Sequence, residues 1–158
     1  MNLILRALRD SGELTRGYIE QLAKWHHEEW LHLNPGAKLE QRLLRYEKSI
    51  DMKSLPEIFV ASDGDKLIGS ATLEKEDMDT RAFLTPWLAS LFVEPEYREQ
   101  GVASQLIQYV IDYSRQQNYK NIYLFTEDQT DYYKKRGWHF VETLEYRSVE
   151  VDLMNQKL

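Results

Sequence analysis

The sequence predicts one α/β domain built on a mixed sheet, and three observations carry that reading. The segment 87–93 (WLASLFV) is apolar on both faces, the pattern of a strand inside a covered sheet. A glycine-bearing turn at Gly101 follows, then an amphipathic helix with a stripe of Val102, Leu106, Tyr109, Val110 and Tyr113. A second β-rich run, 121–126 (NIYLFT), comes next, and a helix joining two parallel strands is the usual right-handed βαβ crossover. A chain of 158 residues suits one domain with a sizeable core, so residues 1–158 are read as a single unit.

The remaining elements follow in chain order. Residues 3–8 form a short apolar run, a first strand, broken by Ser11, Gly12 and Glu13. Ile19, Leu22, Ala23, His26, Trp30 and Leu33 recur at three- and four-residue spacing and predict a helix, which Asn34, Pro35 and Gly36 terminate. Leu39, Leu43, Tyr46 and Ile50 mark a second helix that must end before Pro56. Segments 57–62 and 66–73 are β-rich and flank Asp63-Gly64-Asp65, a hairpin signal. The polar stretch 74–81 reads as a strand end and loop, and Thr85-Pro86 opens the central strand. Asn118 stops the helix before the 121–126 strand. Residues 131–136 predict a short helix capped by Gly137, and 140–142 and 146–153 predict final strands.

Composition narrows the function classes. A net charge of −6 argues against a nucleic-acid partner and mildly favours cationic ones. There is no cysteine, which excludes disulfides, thiolate metal ligands and a cysteinyl acyl intermediate. No apolar run reaches the length of a membrane span, and Arg6 and Arg9 interrupt the first one, so the expected location is cytoplasmic. His26, His27 and His32 cluster with Glu28 and Glu29, but His27 and His32 are five apart rather than four. That spacing does not place two ligands on one helix face, and no metal is expected.

The strand-turn-helix around Gly101 is suited to phosphate. The first four amides of a helix lack internal partners and lie at the positive end of its dipole. Gly101 permits close backbone approach, Ala103 and Ser104 keep the first turn uncrowded, and Arg98 adds a fixed charge. Arg98-Glu99-Gln100-Gly101-Val102-Ala103 resembles the Arg/Gln-x-x-Gly-x-Gly/Ala pyrophosphate loop of the GNAT superfamily of acetyl-CoA-dependent N-acetyltransferases. Leu91-Phe92-Val93-Glu94-Pro95-Glu96-Tyr97 is similar to that family's lead-in strand, and Tyr132-Tyr133-Lys134-Lys135-Arg136-Gly137-Trp138 resembles its second motif. The likeness is strong over residues 87–141; the first half of the chain is consistent with it.

The resemblance implies a mostly antiparallel sheet with the parallel βαβ unit at its centre and helices on both faces. It implies acetyl-CoA as co-substrate, with pyrophosphate on the amides of Gln100, Gly101, Val102, Ala103 and Ser104 beside Arg98. The pantetheine arm would pair with the backbone of Leu91, Phe92 and Val93, in a gap where that strand splays from its neighbour. Tyr133 would be the general acid facing the sulfur. Thr126 stands where the family often carries Asn, seven residues before that tyrosine, and would touch the cofactor through its hydroxyl.

His27, Trp30, Asp77 and Trp87 are candidates for the acceptor pocket, with Trp25 and Tyr146 as further aromatic lining. The general base is not legible: Glu74, Glu76, Asp77, Glu127 and Asp128 read individually as solvated charges. The expected function is direct acetyl transfer to a primary amine, on a small molecule or a protein, within a ternary complex. A module that binds acetyl-CoA or CoA without turnover is the alternative. A domain using Gly101 for another nucleotide lacks the GxxxxGK[ST] or GxGxxG signature. Dimerisation through an edge strand or the C-terminal segment is open.

Overall fold

A computed structural model describes all residues, Met1–Leu158. One seven-stranded sheet runs through it, from β1 (Leu3–Ala7), β2 (Glu57–Asp63), β3 (Lys66–Glu74), β4 (Trp87–Val93), β5 (Asn121–Thr126), β6 (His139–Tyr146) and β7 (Val149–Lys157), in the order β1-β2-β3-β4-β5-β7-β6. Every neighbouring pair is antiparallel except β4 with β5. The mostly antiparallel sheet with a central parallel unit is therefore present.

Helices cover both faces, and strand alternation dictates which side chains meet them. In β2, Ile58 and Val60 join Leu22 and Ala23 of α1 (Thr15–Trp30) and Tyr46 of α2 (Leu39–Ser49). Phe59 and Ala61 point the other way, to Leu106 and Val110 of α3 (Val102–Gln116). A third cluster, Met78, Trp87, Tyr146, Val151 and Leu153, closes the β4–β5–β7–β6 end. A short α4 (Thr130–Lys134) ends as its sequence predicts: Gly137 takes φ +87° and the Trp138 amide bonds back to Tyr133 at 3.1 Å.

One boundary differs from the sequence reading. Residues 146–153 are not a single strand, because Arg147 and Ser148 turn the chain between β6 and β7. Both hold positive φ, +49° and +66°, without glycine or asparagine to announce a hairpin turn. The rest of the 57–74 hairpin follows its signal, with Gly64 at φ +57°.

Two irregularities in the sheet position the site. Ser70 pairs with Phe92 and Thr72 with Ala89, so Ser90 and Leu91 oppose Ala71 alone: β4 carries a bulge, with Ser90 at φ +51°. The parallel neighbour β5 meets β4 only at Trp87↔Tyr123, where the Tyr123 amide donates to Pro86 at 3.0 Å. Beyond that point the two strands part.

Candidate active site

The parting of β4 and β5 opens a cleft of about 510 Å³, walled by Leu88 to Leu91 on one side and Leu124 to Thr126 on the other. Each of the two strands thus has a backbone edge facing the gap instead of a ladder partner. The splay that the resemblance implies is a feature of this chain.

At the far end of β4 the chain makes a turn, passes Gly101 at φ +84°, and enters α3. A Cβ on Gly101 would meet nothing within 4 Å, so its backbone conformation, rather than packing, is what calls for glycine. None of the amides from Gln100 to Ser104 donates a hydrogen bond to the protein, so the helix terminus is left with unpartnered donors at the positive end of its dipole. Arg98 is not a free charge: its Nε donates to the Val93 carbonyl at 2.8 Å and its guanidinium lies 5.7 Å from the Phe92 ring. Its two terminal nitrogens have no protein partner. The Gln100 side chain folds back onto the Glu96 carbonyl, leaving only its backbone on offer.

Tyr133, on α4, lies in the cleft wall and is largely buried, stacked edge-on against Tyr132 and Trp138. Burial, and then neighbouring Tyr132, push its hydroxyl above the usual tyrosine range, with Arg136 opposing weakly. It therefore keeps its proton at neutral pH. Thr126 also lines the cleft, although its hydroxyl accepts the Gln129 amide at 3.0 Å and so closes the turn before α4.

Of the four acceptor candidates, Trp30 and Asp77 line the cleft and the other two do not. Trp87 is an interior residue with no exposed surface; its indole donates to Leu84 at 2.7 Å and packs on Tyr123 and Phe125. His27 is half-buried and outside the lining. Trp25 stacks on Phe92, whereas Tyr146 reaches the cleft.

The acids at the end of β3 and just beyond it are not all solvated, contrary to the sequence reading. Glu74 is buried and paired with Arg45 of α2; burial raises its carboxyl despite that arginine. Asp77 is half-buried with no hydrogen-bond or ion-pair partner, and its carboxyl is pushed up to about 8 by desolvation first and Glu74 second, with Arg45 and Arg147 opposing. No local pattern marks Glu74, because its partner is 29 residues away.

Behind the bulge runs a directional chain that sequence spacing could not reveal. Ser70 Oγ donates to the Ser90 carbonyl at 3.3 Å, so it accepts from His26 Nε2 at 2.8 Å. Nδ1 of the neutral ring must then accept from the Tyr46 hydroxyl at 2.6 Å, which itself accepts from Arg42 at 3.2 Å. Burial, with Arg42 and Arg45 adding to it, lowers the His26 pKa to about 3. The ring is a fixed, uncharged link from α1 to α2 and, through Ser70 of β3, to the Ser90 carbonyl in the β4 bulge.

The chain is similar to known proteins in sequence and fold. The model of the acetyltransferase (GNAT) family matches residues 19–138. N-alpha-acetyltransferase 30 of Schizosaccharomyces pombe is 33% identical over 84 residues, 51% of this chain and 55% of that protein, so the chain matches about half of the curated relative's length. A spermidine N-acetyltransferase chimera from Vibrio cholerae SpeG and hSSAT superposes with a TM-score of 0.71 at 24% identity, over 99% of this chain and 96% of that one. PaiA N-acetyltransferase from Thermoplasma acidophilum, solved with coenzyme A, superposes at 0.68 with 17% identity over the whole of both chains. With the family model spanning most of its length and the splayed β4–β5 pair in its sheet, the chain belongs to the GNAT acetyltransferase family.

Proposed function

We propose that this protein is an acetyl-CoA-dependent N-acetyltransferase that acts on a primary amine by direct transfer in a ternary complex. The observation that carries the reading is the β4–β5 gap, which has unpartnered helix amides beyond one end and a protonated tyrosine in its wall. The residues present fit the co-substrate. The amides of Gln100 to Ser104, with the free nitrogens of Arg98, suit a pyrophosphate. The open edge of β4 at Leu91 and Phe92 suits an extended amide-bearing arm; the Val93 carbonyl is already held by Arg98. Thr126 contributes wall rather than a free hydroxyl.

Acetyl-CoA supplies the activated acyl group when bound. Transfer exchanges a C–S bond for a C–N bond, releases one proton from the amine and delivers one to the sulfur. In this reading Tyr133 donates that last proton, because its hydroxyl stays protonated and makes no hydrogen bond to the protein. Asp77 is the group in the cleft best matched to receive the amine's proton, with its carboxyl titrating near neutrality. With no cysteine in the chain, direct attack needs no acyl-enzyme.

Thermal unfolding tests the co-substrate. Acetyl-CoA at ~100 times its dissociation constant adds about 2.7 kcal/mol, a rise of about 5–10 °C in Tm, whereas NADH does nothing. The absence of any shift would refute the reading. Release of free CoA on adding primary amines separates an enzyme from a module that merely binds acetyl-CoA.

A further inference from the structure

The β4 bulge is held from behind, by side chains that lie outside the cleft. β3 comes close to β4 at this point: a Cβ on Gly69 would stand 2.8 Å from the Phe92 carbonyl. On one side of the bulge Leu88 and Ala89 pair with Leu73 and Thr72, and on the other Phe92 and Val93 pair with Ser70 and Gly69. Phe92 is gripped again by side chains, with the Trp25 ring 5.0 Å away and the Arg98 guanidinium 5.7 Å away. Ser90 and Leu91 have no β3 partner in the register, and both line the cleft. The ladder therefore does not fix them.

Ser90 holds φ at +51°, a left-handed conformation that a residue with a Cβ keeps only when its surroundings impose it. The contact that imposes it is Ser70 Oγ, which donates to the Ser90 carbonyl at 3.3 Å. A serine hydroxyl rotates and carries one proton, so something must aim it. His26 does so: its Nε2 proton occupies a lone pair of Ser70 Oγ at 2.8 Å, leaving that oxygen's own proton for Ser90. Neither Ser70 nor His26 exposes any surface, so bulk water competes for neither bond.

The Ser90–Leu91 peptide is trans, as is every peptide bond except Leu55-Pro56 and Thr85-Pro86. A planar trans unit points its N–H opposite to its C=O. With the Ser90 carbonyl turned to Ser70 on β3, the Leu91 amide points away from β3, on a strand whose other edge faces the β4–β5 gap. We propose that Ser70 is a positioning residue for acetyl transfer, aimed by His26, and that it fixes the Ser90–Leu91 peptide so that the Leu91 amide is presented to the acyl arm in the cleft. The role in transfer rests on the acetyl-CoA reading above; the hold on Ser90 rests on the geometry alone. A donor already aimed needs no reorganisation when negative charge develops on the acyl oxygen, so misplacing it costs rate more than binding. The amides at the start of α3 lie outside this arrangement.

Ser70→Ala and His26→Phe are compared with the unsubstituted protein by NMR and by kinetics. Without ligand, the HN–Hα coupling of Ser90 reports its φ, and both variants should move it away from the left-handed value. On addition of acetyl-CoA the Leu91 amide signal should shift in the unsubstituted protein and shift less in both variants, while the Val102 amide responds alike in all three. Both variants should lower kcat about 10- to 100-fold and change KM for acetyl-CoA less than ~3-fold, whereas a serine that only packs would cost stability and leave kcat alone. The proposal is overturned if Ser70→Ala keeps the Ser90 coupling and the full Leu91 response; the same result in His26→Phe alone removes His26 from it. Loss of the Leu91 and Val102 responses together also overturns it, because the substitution then disturbs the whole site. Acetyl-CoA that moves neither amide in the unsubstituted protein refutes the co-substrate reading instead, and the Ser90 coupling still decides whether Ser70 holds the bulge.

Discussion

Tyr133 and His26 are both buried aromatic side chains with shifted titration, yet their hydrogen-bond environments are opposite. Tyr133 has a free hydroxyl at a cleft, and burial keeps the proton on it. Tyr133→Phe should retain the acetyl-CoA thermal shift and lower kcat by about 10²–10⁴, the usual range for a positioned acid. Equal loss of binding would mean that the ring only packs. His26 has both nitrogens engaged and carries no charge. His26→Phe leaves the Tyr46 and Ser70 hydroxyls each short of a partner and should cost about 2–4 kcal/mol in urea unfolding. The sign of its pH dependence follows from the lowered pKa. The unfolded ring takes a proton near 6.5 and the folded ring only near 3. Stability from this group is therefore complete above 6.5 and declines by about 1.4 kcal/mol per unit as pH falls toward 3. Asp77 has the opposite sign, because its pKa is raised from 3.8 to about 8 and it favours folding at low pH. The difference between the unsubstituted protein and His26→Phe at pH 7 and pH 5 isolates the imidazole; a constant difference would exclude a neutral buried ring.

The elements that matter most are a strand with a fault in it and a helix with an open start. β4 bulges at Ser90 on one edge and departs from β5 on the other, so the strand at the centre of the sheet is also the wall of a cleft. α3 starts from a left-handed Gly101 that no side chain crowds. Gly101→Ala should therefore fold, at a cost of about 1–2 kcal/mol for an alanine held at positive φ. Its acetyl-CoA thermal shift should shrink as the turn relaxes and the amides lose their common aim. An undiminished shift would place the pyrophosphate elsewhere. Both elements were legible in outline: the 87–93 and 121–126 segments are β4 and β5 to the residue, and Gly101 stands at the start of α3. The bulge and the splay were not, because strand propensity says how a segment extends and nothing about where its neighbours stop pairing.

At the scale of the molecule, one sheet carries two helical layers whose separate jobs follow from strand alternation. The α3 side closes the core and carries the Gly101 turn, while the α1–α2 side sends Arg45 to Glu74 and His26 to Ser70. Periodicity, turn chemistry and two short motifs were enough to read the fold class, nearly every element and the place of Gly101 at the start of α3, since each of those signals is complete within a few residues of chain. They misread the β6–β7 turn, which Arg147 and Ser148 make without glycine, and they sent Trp87 to the acceptor pocket when its aromatic neighbours bury it. They also took Glu74 and Asp77 for solvated charges. Whether a carboxylate is paired, stranded or in water depends on what the fold brings beside it, and Arg45, Arg147 and Tyr146 arrive there from distant parts of the chain. Local order is thus written in neighbouring residues, whereas the width of the cleft and the charge inside it come from contacts between segments that no sequence spacing relates.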